Sequence, residues 1–309
     1  YPRRLIVADA RNFGIPILPI DVNASDRVYR VEDAGEPPVP GIRLALSEVR
    51  GMSEAEMDSL LKARSEGPFV SLEDLWRRTD VSQPVLENLI HIGAFDALES
   101  RGRHELMWRA MDLATRTKPQ IGTQLGFTLE GSIEEELPGL PDYTPLEETE
   151  AEIAVSGIDA RRHIMSLYEP LMAELGCTPA RKLNLLRNRS EVWVAGVKVA
   201  SQTPAIRSGQ RIIFVTIDDL TGPIDVTVFE RVQPRAARTV FHSWLQLVRG
   251  RIQKRGGASL THETDKSNVG ITVVAFEVFD LAELAHDRKN GHSMAASLGR
   301  QRKKQASAG

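Results

Sequence analysis

The hydrophobic pattern of this 309-residue chain changes at Val192, and that change limits the folds open to it. Before Val192, apolar residues recur at helical spacing in short segments separated by Gly and Pro. After it, Trp193 and Ala195 alternate with Val194 and Gly196, which is the period of two expected for a strand. The chain therefore fits neither a helical bundle throughout nor one small module, and we predict an α+β protein of several domains.

Five strands are predicted in the part that follows. A helix at 231–242 separates the third strand from the fourth, and a turn at 218–223 separates the second from the third. This order of elements is that of a five-stranded OB-fold β-barrel. The predicted strands are Val192–Ser201, Arg211–Asp218, Ile224–Phe229, Leu245–Ile252 and Ile271–Leu281.

Two helical hairpins are predicted between residues 42 and 98. In the first, a tight turn at Gly51 leads into a helix, and Ser53 followed by Glu56 has the spacing of a capping box. In the second, Gly93 follows an apolar helix and permits a close turn. Turns of this kind allow backbone N–H groups to face a DNA phosphate without obstruction. The sequence therefore predicts a helical, tandem helix-hairpin-helix domain.

The predicted contacts with duplex DNA lie at these two turns. They are Arg50, Gly51, Met52, Ser53, Gly93 and Ala94. Residues 42–66 hold four bases and five acids, which indicates a modest phosphate affinity for the first hairpin. Two alternatives stay open. The first turn can be an ordinary capped helical hairpin, and the second can serve packing alone, with Phe95 as its core anchor.

Positive charge is concentrated in the strand-rich part, although the whole chain has a net charge of −3. Residues 187–260 hold 12 Lys or Arg and five Asp or Glu, which indicates a nucleic-acid-binding surface or, alternatively, an incidental basic face. OB-fold barrels bind single strands by stacking bases on aromatic side chains within a basic groove. Trp193 shares its strand face with small apolar residues, so we assign it to the core. The predicted single-strand contacts are Lys198, Arg207, Arg211, Phe214 and Arg251.

Two other segments are distinguished by their charge. Residues 130–152 hold nine acids and no base, a pattern typical of a solvated linker. Residues 286–309 hold six bases and one acid. We expect a solvated, flexible basic tail there, with a DNA tether as the alternative.

No catalytic or metal-binding constellation is predicted on this chain. The single cysteine, Cys177, excludes an internal disulfide and a cysteine-based zinc site, and it indicates a cytoplasmic protein. Asp218 and Asp219 fit the chemistry of a turn better than that of a metal site. The sequence has no Gly-x-x-x-x-Gly-Lys phosphate loop, and no apolar run approaches the roughly 18 residues of a membrane span.

The order of several short segments resembles that of the bacterial C-family DNA polymerases, the polymerase III alpha type. The matching segments are GIPILPIDVNAS at 14–25, GAFDAL at 93–98, VWVAG at 192–196, DDLTG at 218–222 and LVRGR at 247–251. Ile20 stands where the family usually has Pro. Residues 154–163, AVSGIDARRH, are similar to a stretch of the error-prone, damage-tolerant branch. The short segment after the last predicted strand, too short for the tau-binding domain of the replicative branch, also favours the error-prone one.

The resemblance implies a layout as well as a fold. The implied domains are an end of the fingers at 1–41, the tandem helix-hairpin-helix domain at 42–118, an acidic linker at 119–145, a helical connector at 146–186, the OB-fold at 187–285 and the basic tail at 286–309. The clamp-binding motif of the family has one candidate, Gln124, Leu125 and Phe127, in a segment one residue short of the family's pentapeptide. That segment is equally well interpreted as a linker, so direct sliding-clamp binding is not a firm expectation.

The resemblance also implies a function. The chain would be the DNA-binding C-terminal part of an error-prone polymerase, and Tyr1 in place of an initial Met agrees with a portion of a longer protein. The whole enzyme would be a DNA-directed nucleotidyltransferase with Mg²⁺ at palm carboxylates, whereas this chain would carry no cofactor and add no nucleotide alone.

The expected partners are primer-template DNA, single-stranded DNA, the rest of the polymerase and damage-tolerance accessory proteins, without membrane contact. The expected role is to hold duplex and single-stranded template during DNA synthesis in damage repair, in the bacterial cytoplasm at the nucleoid. A stand-alone accessory module of replication or repair, and a truncated replicative alpha subunit, are the alternatives.

Overall fold

The chain divides into two compact units, one ending at His163 and the other beginning at Ile164. Each unit has a hydrophobic core of its own, so each is described by itself. The structure, a computed structural model, describes residues 3–115, 140–204, 211–255 and 270–307.

The first unit is mainly helical. Its helices begin at polar N-cap residues where the sequence supplies them: Ser53, Ser71 and Thr144 each accept a hydrogen bond from the backbone N–H three residues later. Fully buried aromatic and aliphatic side chains, among them Phe69 and Phe95, fill the core between the helices. The helices are α1 (Arg3–Asn12), α2 (Glu54–Ser65), α3 (Leu72–Arg78), α4 (Gln83–His91), α5 (Arg103–Thr115) and α6 (Pro145–Ser156), with a 3-10 helix at Leu46–Glu48.

A three-stranded sheet precedes the hairpin region. Its strands are β1 (Ile17–Leu18), β2 (Arg30–Ala34) and β3 (Val39–Arg43). Strand β3 pairs in parallel with β1 and antiparallel with β2. The prolines and glycines of 31–41 are typical of a turn or loop, and residues 35–38 do form a turn, but the residues on either side of it belong to β2 and β3. Valines 31 and 39 are exposed, so the β2–β3 pair lacks the buried face by which a strand is recognised from sequence.

The second unit begins with a 3-10 helix at Ile164–Tyr168 and two short helices, α7 (Glu169–Glu174) and α8 (Ala180–Leu183). A closed five-stranded barrel follows, in the order β4-β5-β6-β8-β7. Only β6 and β8 pair in parallel. The barrel consists of β4 (Glu191–Gln202), β5 (Ile213–Asp218), β6 (Pro223–Val228), β7 (Leu245–Arg255) and β8 (Gly270–Asp280), with α9 (Gln233–His242) between β6 and β7.

The barrel interior is built from one face of every strand. Val194, Val215, Val226, Val248 and Val273 represent the five strands, and each of them is almost completely buried. The alternation seen in the sequence therefore corresponds to inward and outward side chains. The predicted strand count, order and intervening helix are confirmed, and so is the OB-fold class.

The C-terminal segment differs from the flexible tail expected for 286–309. Residues there form the end of α10 (Leu281–Lys289) and the whole of α11 (Met294–Ser307). The Gln301 amide holds α11 against β8, because its Oε1 accepts from the Asp280 N–H at 2.9 Å and its Nε2 donates to the Asp280 carbonyl at 3.0 Å. Within the described ranges, no helix is long and apolar enough to cross a membrane.

Candidate nucleic-acid interface

One outer face of the barrel brings together predicted single-strand contacts that are far apart in sequence. Phe214 on β5 lies opposite Thr227 on β6, Thr227 lies opposite Val274 on β8, and Val274 lies opposite Arg251 on β7. These four residues therefore form a row across four neighbouring strands. Because adjacent strands are about 4.8 Å apart, the backbones at the two ends of the row, Phe214 and Arg251, are roughly 14 Å apart as measured along the row.

A depression of about 590 Å³ lies beside this row. Arg211, Arg231 and Arg251 line it together with the half-buried ring of Phe229. Among the described residues, no carboxylate lies within ion-pair distance of these three arginines, although Glu230 also lines the depression. The structure thus places two predicted residues, Arg211 and Arg251, at one basic, aromatic-lined surface.

Phe229 and Arg231 were not among the predicted contacts. Phe229 follows Thr227 by two residues, so the alternation of the strand already places both on the same outward face. This two-residue spacing was the signal in the sequence that could have assigned Phe229 to the outward face. Arg231 offered no comparable signal, because it lies in the turn that enters α9, where neither strand nor helix periodicity applies.

Lys198 does not belong to this surface, which corrects the prediction. Its Nζ donates to the carbonyl oxygens of Val240 and Phe241 at 2.9 and 2.8 Å. These are carbonyls of the last turn of α9, where a cation complements the helix dipole. Burial lowers the pKa of Lys198. The side chain therefore holds α9 against the barrel, and its ammonium is already engaged.

Four predicted contacts fall outside the described residues. Arg207 lies in the connection between β4 and β5, and the clamp-motif candidates lie between α5 and α6. The candidates concerned are Gln124, Leu125 and Phe127.

The first hairpin has the predicted turn but fewer free amides than predicted. Gly51 is exposed and has a φ of +80°, in the left-handed region that favours glycine. The Met52 N–H donates to the Val49 carbonyl at 3.2 Å, and the Ser53 N–H donates to the Glu56 carboxylate at 2.8 Å. The prediction that the Met52 and Ser53 amides donate to phosphate is therefore wrong. Gly51 and Arg50 are exposed residues, and no described residue accepts from the Gly51 N–H or pairs with the Arg50 side chain.

A carboxylate already occupies the start of the helix after this hairpin. Glu56 accepts from the Ser53 N–H and hydroxyl with one oxygen and from the Ser82 N–H and hydroxyl with the other. Burial by itself would raise the pKa of Glu56, but the hydrogen bonds from Ser82 and Ser53 outweigh it and lower the pKa to about 2. One anion thus caps α2 and α4 together, at a position where a phosphate would otherwise bind.

The second hairpin cannot present its amides to DNA. The Gly93 and Ala94 N–H groups donate to the Ile90 and Leu89 carbonyls, both at 2.9 Å, which is the Schellman pattern at the end of α4. Both residues are also buried. The prediction that Gly93 and Ala94 contact phosphate is therefore wrong, because their donors close the helix. The buried Phe95 agrees with the packing alternative.

A cluster of ion pairs explains why residue 93 must be small. Arg103 and Arg161 both bind the carboxylate of Asp96, at 2.7 and 2.8 Å, and Arg161 also binds Glu152 at 2.6 Å. A Cβ on Gly93 would overlap the charged ends of Arg103, Asp96 and Arg161. The same two arginines donate to carbonyls at the end of α4. This cluster joins α4, α5 and α6 in the first unit.

The segment that carries the error-prone signature also has a structural role. Asp159 is buried, and Arg4 donates to its carboxylate at 3.0 Å. Arg11 donates to the Ala160 carbonyl at 2.7 Å. Asp159 and Ala160 therefore connect this segment to α1, and Val155 and Ile158 belong to the helical core.

The Asp218–Asp219 segment is a turn, as predicted. The Leu220 N–H donates to Asp218 at 2.9 Å and the Thr221 N–H donates to Asp219 at 2.8 Å. Across the part of the chain that the structure describes, no group of three or more metal-ligating side chains is found.

Comparison with known families agrees with both units. Residues 14–106 match the family described as a helix-hairpin-helix motif, and residues 191–281 match the family described as an OB-fold nucleic acid binding domain. The predicted fold class and the resemblance to error-prone polymerases are therefore confirmed.

Curated relatives are named as error-prone DNA polymerases. The protein of Symbiobacterium thermophilum is 31% identical, over 83% of this chain and 27% of the relative. That of Anaeromyxobacter sp. (strain K) is 32% identical, over 83% and 22% respectively, and that of Teredinibacter turnerae is 29% identical, over 92% and 26%. The chain spans about a quarter of the length of these relatives.

Solved structures match more distantly. The mitochondrial single-stranded DNA binding protein Rim1 of S. cerevisiae has a TM-score of 0.24 and 13% identity, over 30% of this chain and 97% of that one. RecG bound to a three-way DNA junction has a TM-score of 0.24 and 11% identity, over 71% of this chain and 30% of that one.

Proposed function

We propose, from the similarity of this chain to error-prone DNA polymerases, that it is a DNA-binding portion of such an enzyme and holds single-stranded template on its OB-fold barrel. The observation that carries the proposal is the convergence of Arg211, Arg251, Phe214 and Phe229 on one outer surface of β5, β6, β8 and β7. Unpaired guanidinium groups beside accessible rings are the two components that single-strand binding requires.

Each component has a separate task in this proposal. Phe214 is 38% exposed, and a base stacks on its ring in any sequence context because every base has a π face. Arg211 and Arg251 pair with phosphates, which makes the affinity dependent on salt. Thr227 and Val274, between the two ends of the row, are buried, so the side chains of the row that a strand can contact are those of Phe214 and Arg251.

The first hairpin supplies a weaker contact with duplex DNA. The Gly51 N–H and the Arg50 side chain are exposed toward solvent, but Glu54 and Glu56 lie at the start of the following helix. Their negative charge opposes a phosphate there. We therefore expect duplex binding to contribute less than single-strand binding, and we expect the isolated chain to bind primer-template DNA without adding nucleotides.

The proposal is tested with oligothymidylates of about 8 nucleotides, within the roughly 4–16 nucleotides that OB folds bind. Fluorescence anisotropy of the labelled oligonucleotide gives Kd for the wild type and three variants. We expect Phe214→Ala to weaken binding by about 1–3 kcal/mol through lost stacking. We expect Arg211→Ala/Arg251→Ala to reduce the slope of log Kd against log salt by about 1.4.

Phe241→Ala is the matched control, since Phe241 is 49% exposed in the same unit but lies on α9. It should bind as the wild type does. The proposal would be contradicted if Phe214→Ala and Phe241→Ala lost equal amounts of binding affinity, or if the affinity of the wild type did not change with salt concentration. Nucleotide addition to a primed template by the isolated chain would contradict its second part.

A further inference from the structure

Helix α9 presents a line of positive charge to solvent. Arg235 and Arg238 are three residues apart on one helical face, the imidazole of His242 follows on the same face, and Arg231 lies in the turn that enters the helix. All four are exposed. The opposite side of the helix carries Val232, Ala236 and Val240, which are buried against the barrel. That packing fixes the direction in which the arginines point. We call Arg231, Arg235 and Arg238 the α9 stripe.

Among the described residues, the arginines of the α9 stripe form no ion pair, unlike three basic residues of α11. Arg300 pairs with Asp287 and Arg302 with Glu277, each at 2.6 Å, and Lys304 pairs with Glu283. In the described part of the chain, no carboxylate pairs with an arginine of the stripe. Guanidinium groups three to four residues apart on a helix repel one another, and a bound anion removes that repulsion.

The α9 stripe is continuous with the proposed binding surface. Arg231 lines the same depression as Arg211 and Arg251. Arg231 lies in the turn just before α9, and Arg235 and Arg238 follow on the helix, about 4.5 Å apart along its axis at about 1.5 Å per residue. Arg235, Arg238 and His242 also form one wall of a groove of about 660 Å³, whose other wall includes Gln301 and Lys304 of α11.

We propose that the α9 stripe binds the sugar–phosphate backbone of the same single strand where it leaves the barrel face. The inference rests on the proposed function, since it requires a strand on the barrel. A linear polyanion fits the linear spacing of the arginines and the groove beside them. The carboxylates nearest this path are engaged: Asp280 accepts from the Ser243 hydroxyl and the Glu283 N–H, and Glu283 pairs with Lys304. Glu230 is the exposed acid at the junction.

The test compares oligothymidylates of about 8 and about 24 nucleotides, below and above the usual OB-fold site size, across about 50–200 mM salt. The wild type should bind the longer strand more tightly than the shorter one. Arg235→Gln/Arg238→Gln should bind the short strand with the wild-type affinity but lose most of the additional affinity for the long strand. On the long strand, its slope of log Kd against log salt should be lower by about 1.4. Arg235→Lys/Arg238→Lys should restore that slope.

Lys289→Gln/Lys303→Gln is the matched control, because it removes two exposed charges from α10 and α11. This variant should bind both strands with the wild-type affinity. If Arg235→Gln/Arg238→Gln binds the long strand as tightly as the wild type does, the inference is overturned and the proposed function stays intact. An equal loss of affinity for the short and the long strand in that variant would also overturn the inference. If the wild type binds oligoglutamate as tightly as the long strand, and if this binding depends equally on Arg235 and Arg238, the ligand of the stripe is an acidic peptide and the inference is overturned. Failure of the wild type to bind either strand would overturn the proposed function as well.

Discussion

Two glycines with the same backbone conformation have different roles in this protein. Gly51 and Gly93 have φ values of +80° and +72°. Apart from Gly51 and its two chain neighbours, no heavy atom of the described residues lies within 4 Å of the position where a Cβ would be added to Gly51. Three charged groups crowd that position at Gly93. The first turn is therefore open to a ligand, and the second is an internal junction. The sequences of the two turns do not distinguish these roles.

Glu56 is the residue whose charge state should affect the helical hairpins most directly. With a folded pKa of about 2 against an ordinary value near 4.5, its contribution to stability is present above about pH 4.5. That contribution is lost as the pH falls from about 4.5 toward 2. Glu56→Gln should lower the free energy of unfolding of the first unit by about 1–2 kcal/mol at pH 7, the scale of helix caps at a partly exposed site.

Urea unfolding at a series of pH values measures this effect. The difference between the wild type and Glu56→Gln should shrink below about pH 4.5. Glu66→Gln, at the exposed C-terminal end of the same helix, should change stability by no more than a few tenths of a kcal/mol. A difference between wild type and Glu56→Gln that stays constant from pH 7 to pH 2 would rule out this role.

At the scale of elements, α9 and α11 show that a count of charges does not locate a binding surface. The segment 286–309 has a strong excess of base, yet α11 forms ion pairs with α10 and β8. Its buried positions include Ser297 and Gln301, four residues apart. A polar seam of this kind has no hydrophobic periodicity, so the sequence pattern indicated a flexible tail. Arg235 and Arg238 of α9, by contrast, form no ion pair with any described residue.

Gln301 should control whether α11 stays on the barrel. Gln301→Leu has a similar size but leaves the N–H and carbonyl of Asp280 without their partner. Because an unsatisfied buried polar group costs about 1–3 kcal/mol, α11 should detach more often. Hydrogen exchange of the α11 amides should accelerate in Gln301→Leu and not in Lys303→Leu, whose side chain is exposed. Unchanged protection of α11 would show that Gln301 does not hold it.

At the scale of the whole molecule, the chain consists of two cores that match two different families. We therefore expect two calorimetric transitions. Phe95→Leu in the first unit and Val226→Ala in the second remove buried volume from one core each, at a cost on the order of 1–3 kcal/mol. Each variant should lower one midpoint and leave the other in place. A single transition lowered by both variants would indicate that the units unfold together.

The sequence by itself determined the features that depend on neighbouring residues. Alternation located the five strands and their order, and the Ser53–Glu56 spacing located a capping box that the structure contains. Arg211, Phe214 and Arg251 followed from strand pattern and charge, and the barrel places all three on or beside one outer face.

Only the tertiary structure decided which of the predicted donors are free. Lys198 is engaged by carbonyls more than 40 residues away. At Gly93 the N–H groups are used locally, but the space beside the turn is filled by Arg161, 68 residues away, which donates to the Gly93 carbonyl. The α9 stripe is accessible because the opposite side of α9 packs on the barrel. Hydrophobic and turn patterns record local geometry, whereas the availability of a hydrogen-bond donor or a charge depends on distant partners. Those partners meet only when the chain has folded.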